Sequence, residues 1–288
     1  MSINEIRLKR KNETPVIQDC EKNNVRYFTF PMLSNEEWIV HGFSTRSGGV
    51  SNGDCAQMNL SFSRGDDPEN VLENYRRIAA AIGFDDRSIV CSDQTHTTNV
   101  RVVTAMDRGK GYLLPKDYSD IDALVTNDPS VVLATFYADC VPLYFIDPVH
   151  RAIGLAHSGW KGTVNNIAKE TLRIMQEQFG TNPAEVLAAI GPSICQECYE
   201  VSEDVIDQFR QAYPEKLWPR LFESGREEGK YQLNLWEACR QNMLRAGMLP
   251  EHIEITDVCT CCNPDILFSH RASHGKRGNL AAFLGIKA

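Results

Sequence analysis

The chain has 288 residues, 42% of them hydrophobic and 24% charged, enough apolar material for one large domain or two ordinary ones. A formal charge of −8 argues against a general affinity for nucleic-acid backbone or anionic lipid. No apolar run approaches the ~20 residues of a membrane span. Ten cysteines behind an N-terminus without an apolar leader lead us to expect reduced thiols in a cytoplasmic protein, not a disulfide framework.

Residues 1–20 are polar and weakly periodic and read as a loose tail or an added strand, leaving 21–288 as a single catalytic domain. Short alternating segments, 25–30 and 38–43, have the period of strands. The turn-rich loop from Ser44 to Ser51 follows. Asp66-Asp67-Pro68 then opens a helix whose apolar spacing runs over 71–82 and stops at Gly83. Residues 89–91 and 100–103 read as strands flanking the loop Gln94-Thr95-His96, and 124–126 as another. Beyond the central stretch, an amphipathic helix is expected from Thr163 to Phe179, capped by Gly180. A buried strand at 186–190, helices at 201–212 and 233–246, a strand at 253–258 and a C-terminal segment of mixed character, 267–288, complete the chain. Gly-rich phosphate fingerprints are absent: there is no GxxxxGK[ST] and no strand-borne GxGxxG. One α/β domain, with two sheets or one large mixed sheet, fits this order best.

The central stretch, 131–163, carries the chemistry. One strand pattern breaks at Ala138-Asp139-Cys140 and the next at Ala156-His157-Ser158-Gly159. Were these strands parallel neighbours, they would deliver a thiol and an imidazole to the same side of a sheet. With His96 they form a Cys/His/His set, which suits a metal with one coordination position left for chemistry. Cys140 lies 44 positions after His96 and 17 (157 − 140) before His157. Such gaps exclude a zinc finger and require a site assembled in three dimensions. Asp139, beside the cysteine, is placed to orient a ligand or accept a proton. Taken singly, each has a plain structural role instead: a buried small hydrophobe for the cysteine, a surface or capping residue for a histidine.

Two other patterns were weighed and set aside. Cys195-Gln-Glu-Cys198 and Cys259-Thr-Cys-Cys262 are both C-x-x-C, but they stand 61 positions apart (259 − 198), against about 15–20 in a contiguous zinc site. A redox dithiol is the other reading of either pair. His252-Ile-Glu254 ahead of Cys259 and Cys262 imitates a zinc-deaminase signature. It lacks the helix-borne histidine and the proline before the cysteines.

The motifs Ala138-Asp-Cys-Val-Pro-Leu, Ala156-His-Ser-Gly-Trp-Lys-Gly-Thr, Gln94-Thr-His, Asp122-Ala-Leu-Val-Thr and Ser44-Thr-Arg-Ser-Gly-Gly-Val-Ser resemble one known family. It is the laccase-domain family, long labelled polyphenol oxidase and associated with purine nucleoside phosphorylase activity. Ile190-Gly-Pro-Ser-Ile, Cys198-Tyr-Glu-Val and Phe268-Ser-His-Arg also match, so the resemblance spans roughly residues 38–285. It implies an α+β fold in one domain, two mixed β-sheets sandwiched between helices as four layers, α/β/β/α. It further implies a zinc site of His96, Cys140 and His157, and phosphorolysis of adenosine, inosine and methylthioadenosine with adenosine deaminase side activity. The segment after Phe268 departs from the family's usual FFSYRRDG-x-TGR.

Phosphorolysis must hold an oxyanion in line with the anomeric carbon and stabilise the departing purine. Asp139, Cys140 and His157 are the expected catalytic residues. Arg46, within its serine- and glycine-rich turn, and Lys161, beside His157, are candidate anion contacts. Asn59 is a candidate ribose contact, with turn formation as its structural alternative. The metal would polarise the substrate or activate water, and deamination needs the second role. Three rivals remain. Cys140 with His157 would serve a cysteine hydrolase if free of metal. The same set would let a non-enzymatic protein store or sense a cation. Copper could replace zinc there and support polyphenol oxidation; with seven histidines and no H-x-H, however, a multicopper relay does not fit. The expected partners are purine nucleosides and phosphate, with no nucleic acid and no membrane.

Overall fold

The computed structural model describes residues 6–287. One six-stranded sheet has the order β1 (Gln18–Lys22), β2 (Val25–Thr29), β3 (Ile39–Ser44), β15 (Leu280–Ile286), β7 (Val132–Tyr137) and β4 (Ile89–Cys91). A second has the order β14 (Ile253–Ile255), β10 (Leu187–Ile190), β8 (Val141–Asp147), β9 (Ala152–Ser158), β6 (Ala123–Thr126) and β5 (Val100–Val102). Both are mixed: β4–β7, β5–β6 and β10–β14 run parallel and the other neighbours antiparallel. A small third sheet joins β11 (Glu200–Ser202), β13 (Lys230–Leu233) and β12 (Phe222–Ser224).

The layering is the expected α/β/β/α. Helix Pro68–Ile82 covers the outer face of the first sheet through Val71, Tyr75 and Ile78. Phe28, Phe43, Leu133, Tyr144, Leu155 and Leu284 fill the space between the sheets. Helices Ile167–Phe179 and Leu235–Arg245 close the second sheet with Leu172, Met175 and Met243. Strands β8 and β9 are buried at every residue because one face meets the first sheet and the other meets helices. They therefore read as unbroken apolar runs, without alternation. Truncating a side chain such as Leu172 would cost about 2–5 kcal/mol. Among the described residues, no helix is long and apolar enough to cross a membrane.

Three details differ from the sequence expectation. The helix expected over 163–179 is two, Trp160–Val164 and Ile167–Phe179, because Asn166 takes φ +62° and caps the second by accepting from Lys169 N. Asparagine tolerates that left-handed geometry, and its side chain recovers the bond lost at the break. The C-terminal segment of mixed character ends in β15, a fully buried strand inside the first sheet. Finally, the strand leading to Cys140 and the strand carrying His157 are not parallel neighbours: β7 and β9 lie in different sheets.

Candidate active site

Convergence of the thiol and the imidazole comes from a hairpin stacked on the opposite sheet. Cys140 immediately precedes β8, and His157 lies near the end of its antiparallel partner β9, where Pro142 pairs with His157. Both side chains therefore meet at one end of the hairpin. Across the sheet interface, Tyr137 Oη donates to Ala156 O at 3.0 Å and fixes the end of β7 against β9.

His96 arrives on the loop between β4 and β5 with φ +67°, a conformation that needs support. Asp122, fully buried at the start of β6, supplies it. Its carboxylate accepts from Thr95 N at 3.1 Å, His96 N at 3.1 Å, Thr97 N at 2.8 Å and Thr97 Oγ1 at 2.9 Å. The same carboxylate binds His157 Nδ1 at 2.8 Å. That bond fixes the tautomer and leaves Nε2 as the donor atom facing the site. Burial would raise the Asp122 carboxyl, but His157 and the loop N–H groups outweigh it and hold it below the usual range.

One donor atom each from His96, Cys140 and His157 lies within 4.8 Å of the others, with Cys140 Sγ 3.8 Å from His96 Nε2. Burial opposes ionisation of Cys140, yet His157 and His96 draw its thiol down to about 6. Burial likewise opposes charge on His157, but Cys140 and Asp122 lift it to about 9. Two soft-to-borderline donor types with a preset tautomer fit a cation such as Zn²⁺. The space is kept clear by Gly159, where a Cβ would come within 2.7 Å of His96 Cδ2 and 3.2 Å of Cys140 Sγ.

Two cavities flank the set and share only His96 and Cys140. The first, of about 410 Å³, also reaches His157 and is lined by Ser61, Arg64, Lys116, Phe136 and Arg277. The second, of about 290 Å³, is walled by Trp160, Ile194, Tyr199 and Leu235, with Lys161 at its exposed mouth.

The structure thus brings together His96, Cys140, His157, Asp139 and Lys161. It places two other candidates elsewhere. Arg46 does not line either cavity: its guanidinium donates to Ala56 O at 2.7 and 2.9 Å and Pro264 O at 2.6 Å, and lies over the Phe268 ring. In this structure Arg46 therefore acts as a staple between loops. Asn59 is fully buried, donating to Ser61 O and Asp66 and accepting from Ser61 N and Asn279 N, so its amide has no free arm for ribose. Asp139 accepts from Thr260 Oγ1 at 2.6 Å and Arg271 N at 2.7 Å, and the imidazole of His157 is oriented by Asp122 and not by Asp139.

Sequence reasoning gave Asp122 no role, although a lone carboxylate opening an otherwise apolar strand was a signal. It also passed over Arg277. That side chain reaches the first cavity, where burial and then Arg64 lower it to about 10, and its buried Nε has no partner among the described residues. The pairing of the two C-x-x-C segments, set aside on their spacing, is corrected as well. Cys195, Cys198, Cys259 and Cys262 bring their sulfurs within 4.8 Å of one another. The interval that separates them folds into the small third sheet and three helices, returning the chain to β14 beside β10.

Fold and site together define a class: a four-layer α/β/β/α protein with a Cys/His/His centre at the end of its inner hairpin. Residues 40–287 match the family described as multi-copper polyphenol oxidoreductase laccase, and the chain belongs to that family. It is 37% identical to the purine nucleoside phosphorylase YlmD of Bacillus subtilis, over 95% of each chain. It is 39% identical to a purine nucleoside phosphorylase of Deinococcus radiodurans, over 86% of this chain and 89% of that one. The crystal structure of YlmD from Geobacillus stearothermophilus superposes with a TM-score of 0.87 at 33% identity, covering 96% of this chain and 100% of that one.

Proposed function

We propose that this protein is a zinc-dependent purine nucleoside phosphorylase acting on adenosine, inosine and methylthioadenosine, with adenosine deaminase side activity. The observation that carries the reading is the Cys/His/His centre standing between a cationic cavity and an aromatic one. The relatives' names supply the reaction class.

Phosphate belongs in the first cavity, which is lined by Arg64, Lys116 and Arg277 and so offers positive charge to an anion. The purine belongs between Trp160 and Tyr199 in the second, where aromatic faces offer stacking. The anomeric carbon then lies near His96 and Cys140, with the nucleophile and leaving group in different cavities, as in-line displacement requires. A phosphate oxygen forms the new bond to that carbon. The C–N bond breaks, and the base leaves with its electron pair and takes up a proton. His96, Cys140 and His157 would hold zinc, which when bound supplies a positive charge to polarise the substrate. Lys161 stands at the mouth of the second cavity, on the nucleoside side, and Asp139 would hold the Cys140 loop through Thr260 and Arg271.

The experiment is a nucleoside screen with and without phosphate, on protein of measured metal content. Hypoxanthine released from inosine only with phosphate supports the reading; release without phosphate refutes it. Ammonia from adenosine tests the deaminase activity, and loss of both in folded His157→Ala ties them to this centre. A second reading has one observation in its favour. In the metal-free chain Cys140, drawn down to about 6, and His157, lifted to about 9, form the thiolate–imidazolium pair a cysteine hydrolase uses. Stoichiometric zinc, with thiol reagents blocked from Cys140 until a chelator is added, would eliminate that reading. Between the two candidate metal clusters among the described residues there are only two histidines, which is too few for a multicopper relay.

A further inference from the structure

The four cysteines Cys195, Cys198, Cys259 and Cys262 lie apart from the centre just described and take no part in the reaction. Their convergence is built by backbone. Strands β10 and β14 are parallel neighbours, so the chain leaves both at the same end of the second sheet. The pairing continues past the strands: Thr256 N donates to Ile190 O at 2.9 Å, Ser193 bridges Cys259, and Thr260 N donates to Ser193 O at 3.1 Å. Each C-x-x-C then folds into a tight turn. Cys198 N donates to Cys195 O at 3.2 Å, and Asn263 N, just beyond Cys262, donates to Thr260 O at 3.2 Å.

The four sulfurs lie close enough together to share one ion, and two of their separations are near a tetrahedral edge. Cys195 Sγ lies 3.9 Å and Cys198 Sγ 3.5 Å from Cys262 Sγ, and all four lie within 4.8 Å of one another. A Zn–S bond of about 2.3 Å implies tetrahedral edges of about 3.8 Å. Cys195 N also donates to Cys259 Sγ at 3.2 Å, aiming an N–H at sulfur as thiolate ligands require. Two of the thiols, Cys195 and Cys259, are buried, and Lys11 is close enough to interact with Cys195 and Cys262, offering positive charge to a dianionic tetrathiolate. Ordinary apolar packing of cysteines would ask for neither the convergence of four sulfurs nor the N–H donor.

We propose that Cys195, Cys198, Cys259 and Cys262 form a second metal site, which binds one zinc ion through four thiolates and is structural. Four protein ligands leave no open position, so the ion does no chemistry. What it holds is the floor of the active site. Ile194 N donates to Asp139 O at 3.0 Å, Thr260 Oγ1 reaches the Asp139 carboxylate, and Arg271 Nη1 binds Cys198 O at 3.2 Å while its N–H holds the same carboxylate. Asp139 is the residue before Cys140. The tetrathiolate knot therefore fixes the loop that presents one ligand of the catalytic centre.

The test uses the full chain, purified under reducing conditions without chelator, and counts metal by mass spectrometry. Wild type carries two zinc ions per chain. His96→Ala/His157→Ala carries one, and after cobalt exchange it shows the intense sulfur-to-metal charge transfer and tetrahedral visible bands of a four-sulfur site. Cys198→Ser/Cys262→Ser carries one and melts at lower temperature. If that variant fails to fold, the histidine variant still decides. The proposal is overturned if the histidine variant carries no metal, if its bound metal is iron, or if native mass spectrometry finds these cysteines as disulfides.

Discussion

Asp122→Asn is the sharpest test of the active-site architecture, because it changes one atom in a carboxylate with five hydrogen bonds. On one side Oδ2 accepts from Thr95 N, Thr97 N and Thr97 Oγ1; on the other Oδ1 accepts from His96 N and His157 Nδ1. An amide cannot satisfy both. If its NH₂ faces His157, the imidazole must turn Nδ1 into an acceptor, which puts the ring proton on Nε2, where a metal needs a lone pair. If its NH₂ faces the threonines, buried N–H groups lose their acceptor at about 1–3 kcal/mol each, and the strained loop carrying His96 loosens. Loss of a partner that orients a ligand typically weakens metal binding roughly 10–100-fold, about 1.4–2.7 kcal/mol. Chelator competition on wild type and Asp122→Asn, with circular dichroism to confirm the fold, measures it. The two clusters are separated by making both proteins in the Cys198→Ser/Cys262→Ser background. Unchanged affinity in a folded Asp122→Asn protein would refute the assignment of His157's tautomer and of Asp122 as its orienting group.

Gly159→Ala pushes a methyl group to within 2.7 Å of His96 Cδ2; we expect overpacking of about 1–3 kcal/mol and loss of the Cys/His/His metal, read as metal content and melting temperature. Arg277→Ala should raise the KM for phosphate about 10–100-fold, by loss of a charge-assisted bond of roughly 1.5–3 kcal/mol, with little change in the KM for nucleoside. Arg46→Ala should do the reverse: steady-state kinetics keep the phosphate KM, while denaturation shows the protein destabilised by about 1–3 kcal/mol as the Ala56 and Pro264 carbonyls lose their donors. A matching rise in phosphate KM for Arg46→Ala would restore it as an anion contact. His41 gives a pH dependence. Burial holds its ring down at about 4, and Nε2 accepts from Phe30 N at 2.9 Å. The unfolded chain takes up this proton near 6.5, so the stability is fully present above that pH and is lost as pH falls toward 4. At pH 5 the loss is about 2 kcal/mol. Urea midpoints at pH 7.5 and 5.0 should therefore fall less in His41→Gln than in wild type; equal falls would sink the claim.

The legible parts of the sequence were those governed by local rules. Asp67-Pro68 and Gly83 bracket a helix because capping and left-handed φ are properties of single residues, and the helix Pro68–Ile82 has those ends. The patterns that break at Ala138 and at Ala156 are strands, Val132–Tyr137 and Ala152–Ser158, because burial on both sides leaves no polar face. What local rules do not carry is which strands share a sheet. Val132–Tyr137 and Ala152–Ser158 looked like neighbours, and only the pairing of β7 with β15, 140 and more residues later in the chain, moves them into separate sheets. The same limit hid the cysteine knot, since β10–β14 pairing erases an interval that a spacing rule treats as prohibitive. Side-chain commitment was equally hidden: Arg46 and Asn59 have the right chemistry for a substrate, but their donors are spent on backbone carbonyls and neighbouring loops.

That the proposed catalytic centre lies where the two sheets meet has a mechanical consequence. Its three proposed ligands come from two loops and one strand, and each has its own anchor. His96 is fixed through Asp122 to β6; His157 belongs to β9 and is packed on Tyr137 of the other sheet, ring centroids 5.6 Å apart; Cys140 hangs on a loop tied to Thr260 and Arg271. Two of these anchors are buried sheet, with low-cost motion excluded by close packing. The third is not. The Cys140 loop depends on irregular segments, and these are the segments the four-cysteine knot ties together. A fold that needs one ligand on a loop, and no strand to hold it, gains from a cross-link at that point. This is why removing the knot should loosen Cys140 before it disturbs His96 or His157.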